Sequence, residues 1–307
     1  MKPTVVVIGG PTASGKSKLG IELAKQINGE IISADSMQIY KDMNIGTAKV
    51  TLNEMEGIKH YMIDFLSPEE RYSVSDYKKT AEKYIETIIK NGKTPIIVGG
   101  TGLYIDSLIY GIEFSKEEFD EQYREELNKI ADNGNLDKLY EAALKIDPIA
   151  MQKISPNDKK RIIRVLEIYN KTGKTKTEQD IKSRKNEVKY DYKVFAIDIK
   201  REVLYDRINK RVDVMIDKGL IEEVKEILKK YKTFPTAMQG LGYKEVVEYI
   251  EGNISKTEMI DKIKQKSRNY AKRQLTWFRK NKQTIWLNGE DSTDENISKI
   301  LKEIKIG

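Results

Sequence analysis

The chain contains no cysteine and a single histidine, and it has no apolar run long enough to cross a bilayer. The absence of cysteine excludes disulfides, zinc–thiolate sites and thiol nucleophiles, and it is typical of a reducing compartment. The lone histidine, His60, has no second histidine with which to build a metal cluster, so we expect a structural role for it. The first residues run directly into a strand-like segment rather than a signal peptide. These absences predict a cytoplasmic protein that does not enter a membrane.

Positive charge is concentrated near the C-terminus. The 307 residues carry a formal net charge of +7, and residues 256–282 alone contain ten Lys or Arg against two Asp or Glu. A localised basic segment is the electrostatic footprint of a polyanion partner. Tyr270, Trp277 and Phe278 lie among these charges and favour nucleic acid over the alternative of a solvated helix face.

The strongest motif lies near the N-terminus, where residues 10–17 read GPTASGKS. This segment matches G-x-x-x-x-G-K-[ST], follows a β-branched apolar run at 4–8 and precedes a helical pattern at 18–26. In that order, backbone N–H groups and the helix N-terminus converge on one anion. Lys16 adds a full charge and Ser17 a hydroxyl suited to magnesium. The sequence therefore predicts a phosphate or diphosphate site.

Two further strand-like segments end in residues suited to the same crevice. Residues 30–34 end at Asp35, and residues 94–98 run into Gly99-Gly100-Thr101-Gly102, which we expect to form a loop. Ligands of open α/β sheets bind at the carboxyl ends of strands. Asp35 is suited to bind magnesium, to accept a proton or to cap a helix. Glycines stand where an NTPase normally places a magnesium-binding carboxylate, which counts against an ordinary ATPase.

The remaining pattern predicts the architecture. Residues 116–189 are charged and helical in period, with a lysine-rich stretch at 171–189 that reads as a mobile connection. Other predicted elements are a possible strand at 61–64, a helix at 71–90 capped by Ser73 or Ser75, strands at 193–199 and 284–287, and a basic helix at 256–280. We predict an α/β protein with a P-loop-type parallel sheet core flanked by helices (residues 1–112 and 190–307) and an α-helical insertion domain (113–189).

Nine separated stretches, in family order and over nearly the whole chain, resemble the tRNA dimethylallyltransferases (tRNA isopentenyltransferases): residues 10–17, 35–40, 46–49, 60–64, 71–76, 98–104, 157–167, 239–243 and 267–278. The resemblance implies transfer of the dimethylallyl group from dimethylallyl diphosphate to N6 of an adenosine adjacent to the anticodon in tRNA. It implies that the phosphate loop holds the isoprenoid diphosphate rather than ATP. It also implies Mg²⁺ as cofactor, the tRNA anticodon stem-loop as partner and a monomeric enzyme.

The same resemblance assigns roles to residues. Asp35 would be the general base, while Thr101 and Arg211 would hold the diphosphate and stabilise its leaving charge. The diphosphate cradle would comprise Gly10, Thr12, Ala13, Ser14, Gly15, Lys16 and Ser17, with the metal at Ser17. The tRNA-facing residues would be Asp35, Ser36, Met37, Gln38, Thr101, Arg124, Asn157, Asp158, Lys159, Lys160, Arg161, Gln239, Arg268, Lys272 and Arg273.

The sequence departs from the family pattern at two positions. Val50 stands where the family often has proline, and Lys59 where a second histidine is common. The absence of cysteine excludes the zinc finger of many eukaryotic relatives, so the resemblance is to the bacterial type. The alternative is a P-loop nucleotide or small-metabolite kinase, which would not need the basic segment. A non-catalytic RNA-binding protein would not explain why Lys16, Asp35 and Thr101 converge.

Overall fold

The computed structural model describes residues 2–114, 120–183 and 187–304, and the chain divides into two compact units. The sheet unit comprises Met1–Ile109 and Val188–Gly307, and the helical unit comprises Tyr110–Glu187. Each unit has its own buried apolar clusters. In the helical unit, Leu127, Leu139 and Ile162 belong to one such cluster. The helical unit is therefore an insertion with its own core.

The described part of the sheet unit contains a six-stranded sheet in the order β3-β2-β4-β1-β5-β6, and every pairing is parallel. The central strands are continuously apolar because helices cover both faces of the sheet. The α/β fold predicted from the sequence is confirmed. The strands are β1 (Thr4–Gly9), β2 (Gly29–Ala34), β3 (His60–Tyr61), β4 (Thr94–Gly99), β5 (Asp191–Asp198) and β6 (Ile285–Asn288).

The register of three central strands decides where the site lies. Gly99 at the end of β4 is the partner both of Gly9 at the end of β1 and of Ala34 at the end of β2. The residues that follow these strands, Gly10, Asp35 and Gly100, therefore leave the sheet together at one edge.

Four helices precede the insertion: α1 (Lys16–Gln26), α2 (Leu52–Met55), α3 (Val74–Lys90) and α4 (Gly102–Ile109). Ser73, one of the two predicted caps, begins α3 in a capping box with Asp76. The loop predicted after β4 is shorter than expected, since α4 already begins at Gly102. Tyr104 and Leu108 are spaced for one helix face and are buried, and Tyr104 stacks on Tyr77 with ring centroids 3.9 Å apart.

The helical unit contains α5 (Glu121–Ile130), α6 (Leu136–Ile146), α7 (Pro148–Met151), α8 (Lys159–Thr172) and α9 (Lys176–Ser183). The prediction of a mobile connection at 171–189 is wrong where α9 forms. Buried Asp147 accepts hydrogen bonds from Thr177 N–H at 2.8 Å and Thr177 Oγ1 at 2.7 Å, which fixes the start of α9. Residues 184–186 of that stretch lie outside the described residues.

The chain ends with α10 (Arg201–Asp217), α11 (Leu220–Lys230), α12 (Tyr243–Ile250), α13 (Lys256–Lys280) and α14 (Thr293–Glu303). The basic helix predicted at 256–280 corresponds to α13, which Ser255 caps. We did not predict α14, whose Ile297 and Ile300 are buried in the same apolar cluster as the residues of α1. None of the helices in the described ranges is long and apolar enough to span a membrane.

The third strand is shorter than the predicted 61–64. It comprises only His60–Tyr61, because Met62 and Asp64 adopt left-handed φ angles of 62° and 57°, which a strand cannot contain. The ring Nδ1 of His60 lies 2.8 Å from the carbonyl oxygen of Ile58, and a structural role for His60 stays a prediction. Burial lowers the pKa of this imidazole.

Candidate active site

A cleft of about 350 Å³ opens at the carboxyl edge of the sheet unit. Its lining includes many of the residues that the sequence singled out, from the phosphate loop (residues 10–17), the end of β2, α10 and α13. The residues of that set which line the cleft are Thr12, Lys16, Ser17, Asp35, Ser36, Met37, Gln38, Arg211, Gln239 and Arg273.

The phosphate loop has the backbone of an anion-binding nest. Gly10, Ala13 and Gly15 have positive φ angles of 147°, 63° and 89°, and alternation of this kind turns successive N–H groups toward one point. Ala13 pays a steric cost for its conformation that glycine would avoid. Ser14 is buried and its hydroxyl has no partner within the described residues. The loop thus retains an unused hydrogen-bond donor, as expected of a site whose ligand is an anion.

Lys16 is the first residue of α1 and lies in the wall of the cleft. Burial and the neighbouring Arg211 charge lower its pKa to about 8, and Asp35 opposes the shift. Its ammonium donates to the carbonyl oxygen of Pro11 at 3.1 Å. Because this ammonium is poorly solvated, an anionic ligand would favour its charged form.

Arg211 on α10 provides the second cation of the cleft. Burial lowers the pKa of its guanidinium, while Asp35 raises it. Arg211 Nη2 donates to the carbonyl oxygen of Thr47 at 3.4 Å. Arg273 also lines the cleft, so three cations accompany the single carboxylate of Asp35. This lining is electrostatically suited to a multiply charged anion.

Asp35 follows β2 and caps a turn rather than a helix. Its Oδ1 accepts N–H groups of Met37 at 2.9 Å and Gln38 at 3.4 Å. Thr101 holds the same turn, since its Oγ1 accepts the N–H of Ser36 at 3.1 Å and lies 3.4 Å from Ser36 Oγ. The carboxylate is therefore both a turn cap and a group presented to the cleft.

Glu223 on α11 supports the loop at residues 44–48 beside the cleft. Its role was not predicted from the sequence. Its carboxylate accepts backbone N–H groups of Asn44, Ile45 and Gly46 at 2.9, 2.7 and 3.2 Å, and the hydroxyl of Tyr243 at 2.7 Å. The next residues, Thr47 and Ala48, present carbonyl oxygens to Gln38 Nε2 at 3.3 and 3.4 Å. Glu223 thus orders the loop that contacts Gln38 and Arg211.

Tyr270 and Gln274 on α13 also line the cleft. Sequence reasoning connected Tyr270 with nucleic acid and gave Gln274 no role. Burial and the Asp35 charge raise the pKa of Tyr270 to about 12, so its phenol is a neutral donor at neutral pH. The two residues are four apart within the 267–278 motif and so share one helix face. That spacing was the sequence signal from which a shared position at the cleft could have been predicted.

Most of the chain matches a known protein family. The sequence model of the IPP transferase family matches residues 38–281. The chain belongs to the IPP transferase family. It is 50% identical over 300 residues to the tRNA dimethylallyltransferase of Acetivibrio thermocellus, with 97% of this chain and 96% of that protein covered. It is 47% identical over 305 residues to the protein of the same name from Oceanobacillus iheyensis, with coverage of 99% and 97%.

Solved structures agree with this IPP transferase assignment. The tRNA delta(2)-isopentenylpyrophosphate transferase of Staphylococcus epidermidis is 46% identical, with a TM-score of 0.72 and 98% of each chain covered. A eukaryotic dimethylallyltransferase described as acting on tRNA is 33% identical, with a TM-score of 0.79 and coverage of 97% of this chain and 77% of that chain. The family resemblance inferred from the sequence motifs is confirmed.

The helical unit of this IPP transferase family member holds the expected tRNA-facing residues of α5 and α8. Asn157, Lys160 and Arg161 are exposed, while Asp158 caps α8 and Lys159 pairs with Asp132 at 2.7 Å. Arg124 instead forms an ion pair with the buried carboxylate of Glu167, and Arg164 lies 3.7 Å from the same carboxylate. Arg124 therefore has a structural partner in addition to any role toward tRNA.

The three residues of α13 that were expected to face tRNA, Arg268, Lys272 and Arg273, occupy different places. Arg273 lines the cleft, whereas Lys272 lines a second cavity of about 700 Å³ beside Arg279 and Asp198. Arg268 Nη1 donates to Asn209 Oδ1 at 2.7 Å. Charge reversal at all three would therefore disturb the cleft as well as the basic surface, and Lys272 is the cleaner probe of that surface.

Magnesium fits the donor set of the cleft. No group of three or more His, Asp or Glu suited to a metal occurs in the ranges that the structure describes. Ser17 and Asp35 both contribute oxygen donors to the cleft. Mg²⁺ is commonly held by one or two protein oxygens together with substrate phosphates and water.

Proposed function

We propose that the protein transfers the dimethylallyl group of dimethylallyl diphosphate to N6 of an adenosine adjacent to the anticodon in tRNA, releasing diphosphate. The main support is the meeting of the phosphate loop, Lys16, Arg211 and the carboxylate of Asp35 in one cleft. The names of the A. thermocellus and O. iheyensis relatives, tRNA dimethylallyltransferase, support the same activity.

The donor diphosphate would bind in the cradle formed by Gly10, Thr12, Ala13, Ser14, Gly15, Lys16 and Ser17, with Lys16 and Arg211 as counter-charges. The backbone N–H of Thr12 is already donated to Gln274 Oε1, so the other N–H groups of the loop would contact the anion. Thr101 orders the adjacent Asp35 turn. The cleft also has an apolar wall, formed by Ile208, Val212, Met215, Leu241 and Ile263. A five-carbon apolar group attached to a diphosphate matches this division of the cleft into cationic and apolar parts.

Mg²⁺ would sit at Ser17, with diphosphate oxygens and water as its other ligands. When bound, the ion supplies additional positive charge to the diphosphate oxygens. Lys16, the loop amides and Arg211 supply charge stabilisation from the chain itself, and that stabilisation grows as the leaving group takes up negative charge.

Asp35 would act as general base. The adenine N6 forms a bond to C1 of the dimethylallyl group, the C1–O bond breaks, and its electron pair leaves on the diphosphate. The proton released from N6 passes to the Asp35 carboxylate. This carboxylate is held in place by the hydrogen bond that its Oδ1 accepts from the N–H of Met37. A positioned base matters here because an exocyclic adenine amine is a weak nucleophile. The target base must leave its stack to enter a cleft of this kind.

The tRNA would bind as a polyanion along the exposed face of α13, where Lys272, Arg279 and Lys280 are exposed. In the helical unit, Asn157, Lys160 and Arg161 are the exposed members of the expected set. Contacts of Lys and Arg with phosphates hold a nucleic acid in position without reading its sequence. We propose that the enzyme acts as a monomer.

The proposal is tested by incubating the protein with Mg²⁺, dimethylallyl diphosphate and unmodified tRNA, followed by mass spectrometry of the digested nucleosides. We expect an adenosine carrying one dimethylallyl group and one diphosphate released per transfer. A parallel reaction with labelled ATP addresses the kinase alternative. Coupled ATP consumption, or the absence of prenylated adenosine, would contradict the proposal.

A further inference from the structure

Helix α13 approaches the carboxyl edge of the sheet unusually closely. A Cβ added at Gly9 would lie 2.2 Å from the ring of Phe278, one at Gly100 would lie 2.0 Å from Gln274 Nε2, and one at Gly102 would lie 2.3 Å from the ring of Trp277. These distances are far shorter than van der Waals contact, so a side chain at any of the three positions would displace the α13 residue that faces it. Gln274, Trp277 and Phe278 are spaced at i, i+3 and i+4, and they form one docking face of the helix.

Within that face, the amide of Gln274 joins two loops of the candidate active site. Its Oε1 accepts the backbone N–H of Thr12 in the phosphate loop at 2.9 Å. Its Nε2 donates to the carbonyl oxygen of Gly100, next to Thr101, at 3.0 Å. Only 4% of Gln274 is exposed. Thr12 offers a donor and Gly100 an acceptor, so the orientation of the amide is fixed by its partners.

We propose that Gln274 is a positioning residue for the diphosphate donor, a role that rests on the proposed function for the identity of that donor. Its amide holds the first turn of the phosphate loop at a fixed distance from the Gly100-Thr101 loop. The N–H groups of the phosphate loop then point at the anion before the anion arrives. A displacement of about 1 Å in such a group is enough to reduce a rate by about 100-fold.

The side-chain chemistry of this position admits few substitutes. Glutamine supplies one acceptor and one donor without charge, as Thr12 and Gly100 require. An ionised glutamate would keep the acceptor, lose the donor and add negative charge beside the diphosphate. A protonated glutamic acid would restore both hydrogen bonds, because its O–H replaces the amide N–H. This difference makes the role testable through pH.

The experiment compares the full-length wild type, Gln274→Met, Gln274→Glu and a control, Gln265→Met, at an exposed position of the same helix. Binding of inorganic diphosphate with Mg²⁺ is measured by calorimetry, and hydrogen exchange is followed by mass spectrometry in the peptide spanning residues 9–17. Steady-state kinetics give separate KM values for dimethylallyl diphosphate and tRNA.

For Gln274→Met we expect diphosphate affinity and kcat/KM for the donor to fall about 10- to 100-fold. Exchange should accelerate in residues 9–17, while the KM for tRNA stays within about twofold, since the positioning acts on the donor side. Gln274→Glu should show the same loss at pH 8 and recover part of it near pH 5, as its carboxyl becomes protonated. Gln265→Met should match the wild type.

Unchanged diphosphate affinity in Gln274→Met would overturn the positioning role, as would acceleration of exchange across the whole sheet unit to the same degree. If Gln274→Met does not fold, Gln274→Glu decides the matter, because a loss of affinity with no recovery at low pH would also overturn it. The binding and exchange results do not depend on tRNA. If wild-type diphosphate affinity depends on Gln274 as expected, and yet the wild type does not prenylate tRNA, the proposed function alone is refuted.

Discussion

The protonation of Lys16 provides a quantitative test of the cleft. Its pKa falls from 10.5 to about 8 because of burial and the nearby Arg211 charge. A lysine with a lowered pKa in the folded state destabilises that state wherever it is charged in both states, which means below pH 8. The penalty is relieved as pH rises from 8 to 10.5, where the folded protein has lost the proton and the unfolded chain retains it.

The shift from 10.5 to about 8 corresponds to at most about 3.5 kcal/mol, since each pKa unit is worth about 1.4 kcal/mol. The partial exposure of Lys16 lowers this bound to about 3 kcal/mol. We therefore expect Lys16→Met to raise the free energy of unfolding of the ligand-free protein at pH 7, by up to about 3 kcal/mol. The same variant should bind diphosphate far more weakly. Lys16 would thus lower the stability of the ligand-free fold while providing a positive charge for the diphosphate.

Calorimetric titration with inorganic diphosphate from pH 7 to 10 checks the prediction. Above pH 8 the wild type must take up a proton to bind, so its affinity relative to Lys16→Arg should fall by up to about tenfold per pH unit. Lys16→Arg is the reference because it keeps its charge over this range, which removes the ionisation of the ligand from the comparison. Parallel pH profiles for the two proteins, or a less stable Lys16→Met at pH 7, would refute the reasoning.

Three further substitutions test other parts of the proposal. Asp35→Asn keeps an acceptor for the turn but removes the base, so turnover in single-turnover assays should fall by about two to four orders of magnitude. The affinity for tRNA, measured by filter binding, should change little. Unchanged turnover would leave Asp35 with only its capping role. Lys272→Glu combined with Lys280→Glu should weaken tRNA binding and reduce the slope of log affinity against log salt by about two. Diphosphate binding should stay intact. An unaltered slope would mean that tRNA does not contact this face of α13. Glu223→Ala leaves three loop N–H groups without their acceptor, so the free energy of unfolding measured in urea should fall by about 1–3 kcal/mol. The control variant Glu222→Ala, at an exposed position, should keep the wild-type stability. Equal stabilities of the two variants would contradict the anchoring role of Glu223.

The elements predicted correctly from sequence are those specified by short-range patterns. The phosphate loop, the strand before it and the basic helix each carry their signal within a few residues, either as a motif or as an apolar period. Asp35 could be placed in the cleft because the end of a parallel strand defines an edge of the sheet. Ser73 could be named as a cap because its partner Asp76 is three residues away.

The residues that sequence reasoning missed act over long separations. Gln274 meets Thr12 across 262 positions, and Glu223 meets Asn44 across 179. A glutamine or glutamate on a charged helix looks like a solvated residue until the fold buries it. Helix α9 has no apolar period to predict it, because Ile181 is the one apolar residue of Lys176–Ser183 and none of the eight residues is buried. Its start depends on Asp147, which lies 30 residues before Thr177.

The position of β1 in the sheet has a consequence for how the chain is made. β1 pairs on one side with β4 and on the other with β5, where Thr4 is the partner of Asp191. During synthesis the helical unit, contiguous at Tyr110–Glu187, emerges complete while β1 still has an open hydrogen-bonding edge. An open strand edge is a template for pairing between chains. A released, truncated chain that ends at residue 188 should therefore contain a folded insertion and an unfinished sheet that associates with other chains. Truncated chains that stay monodisperse in sedimentation would argue against this order of events.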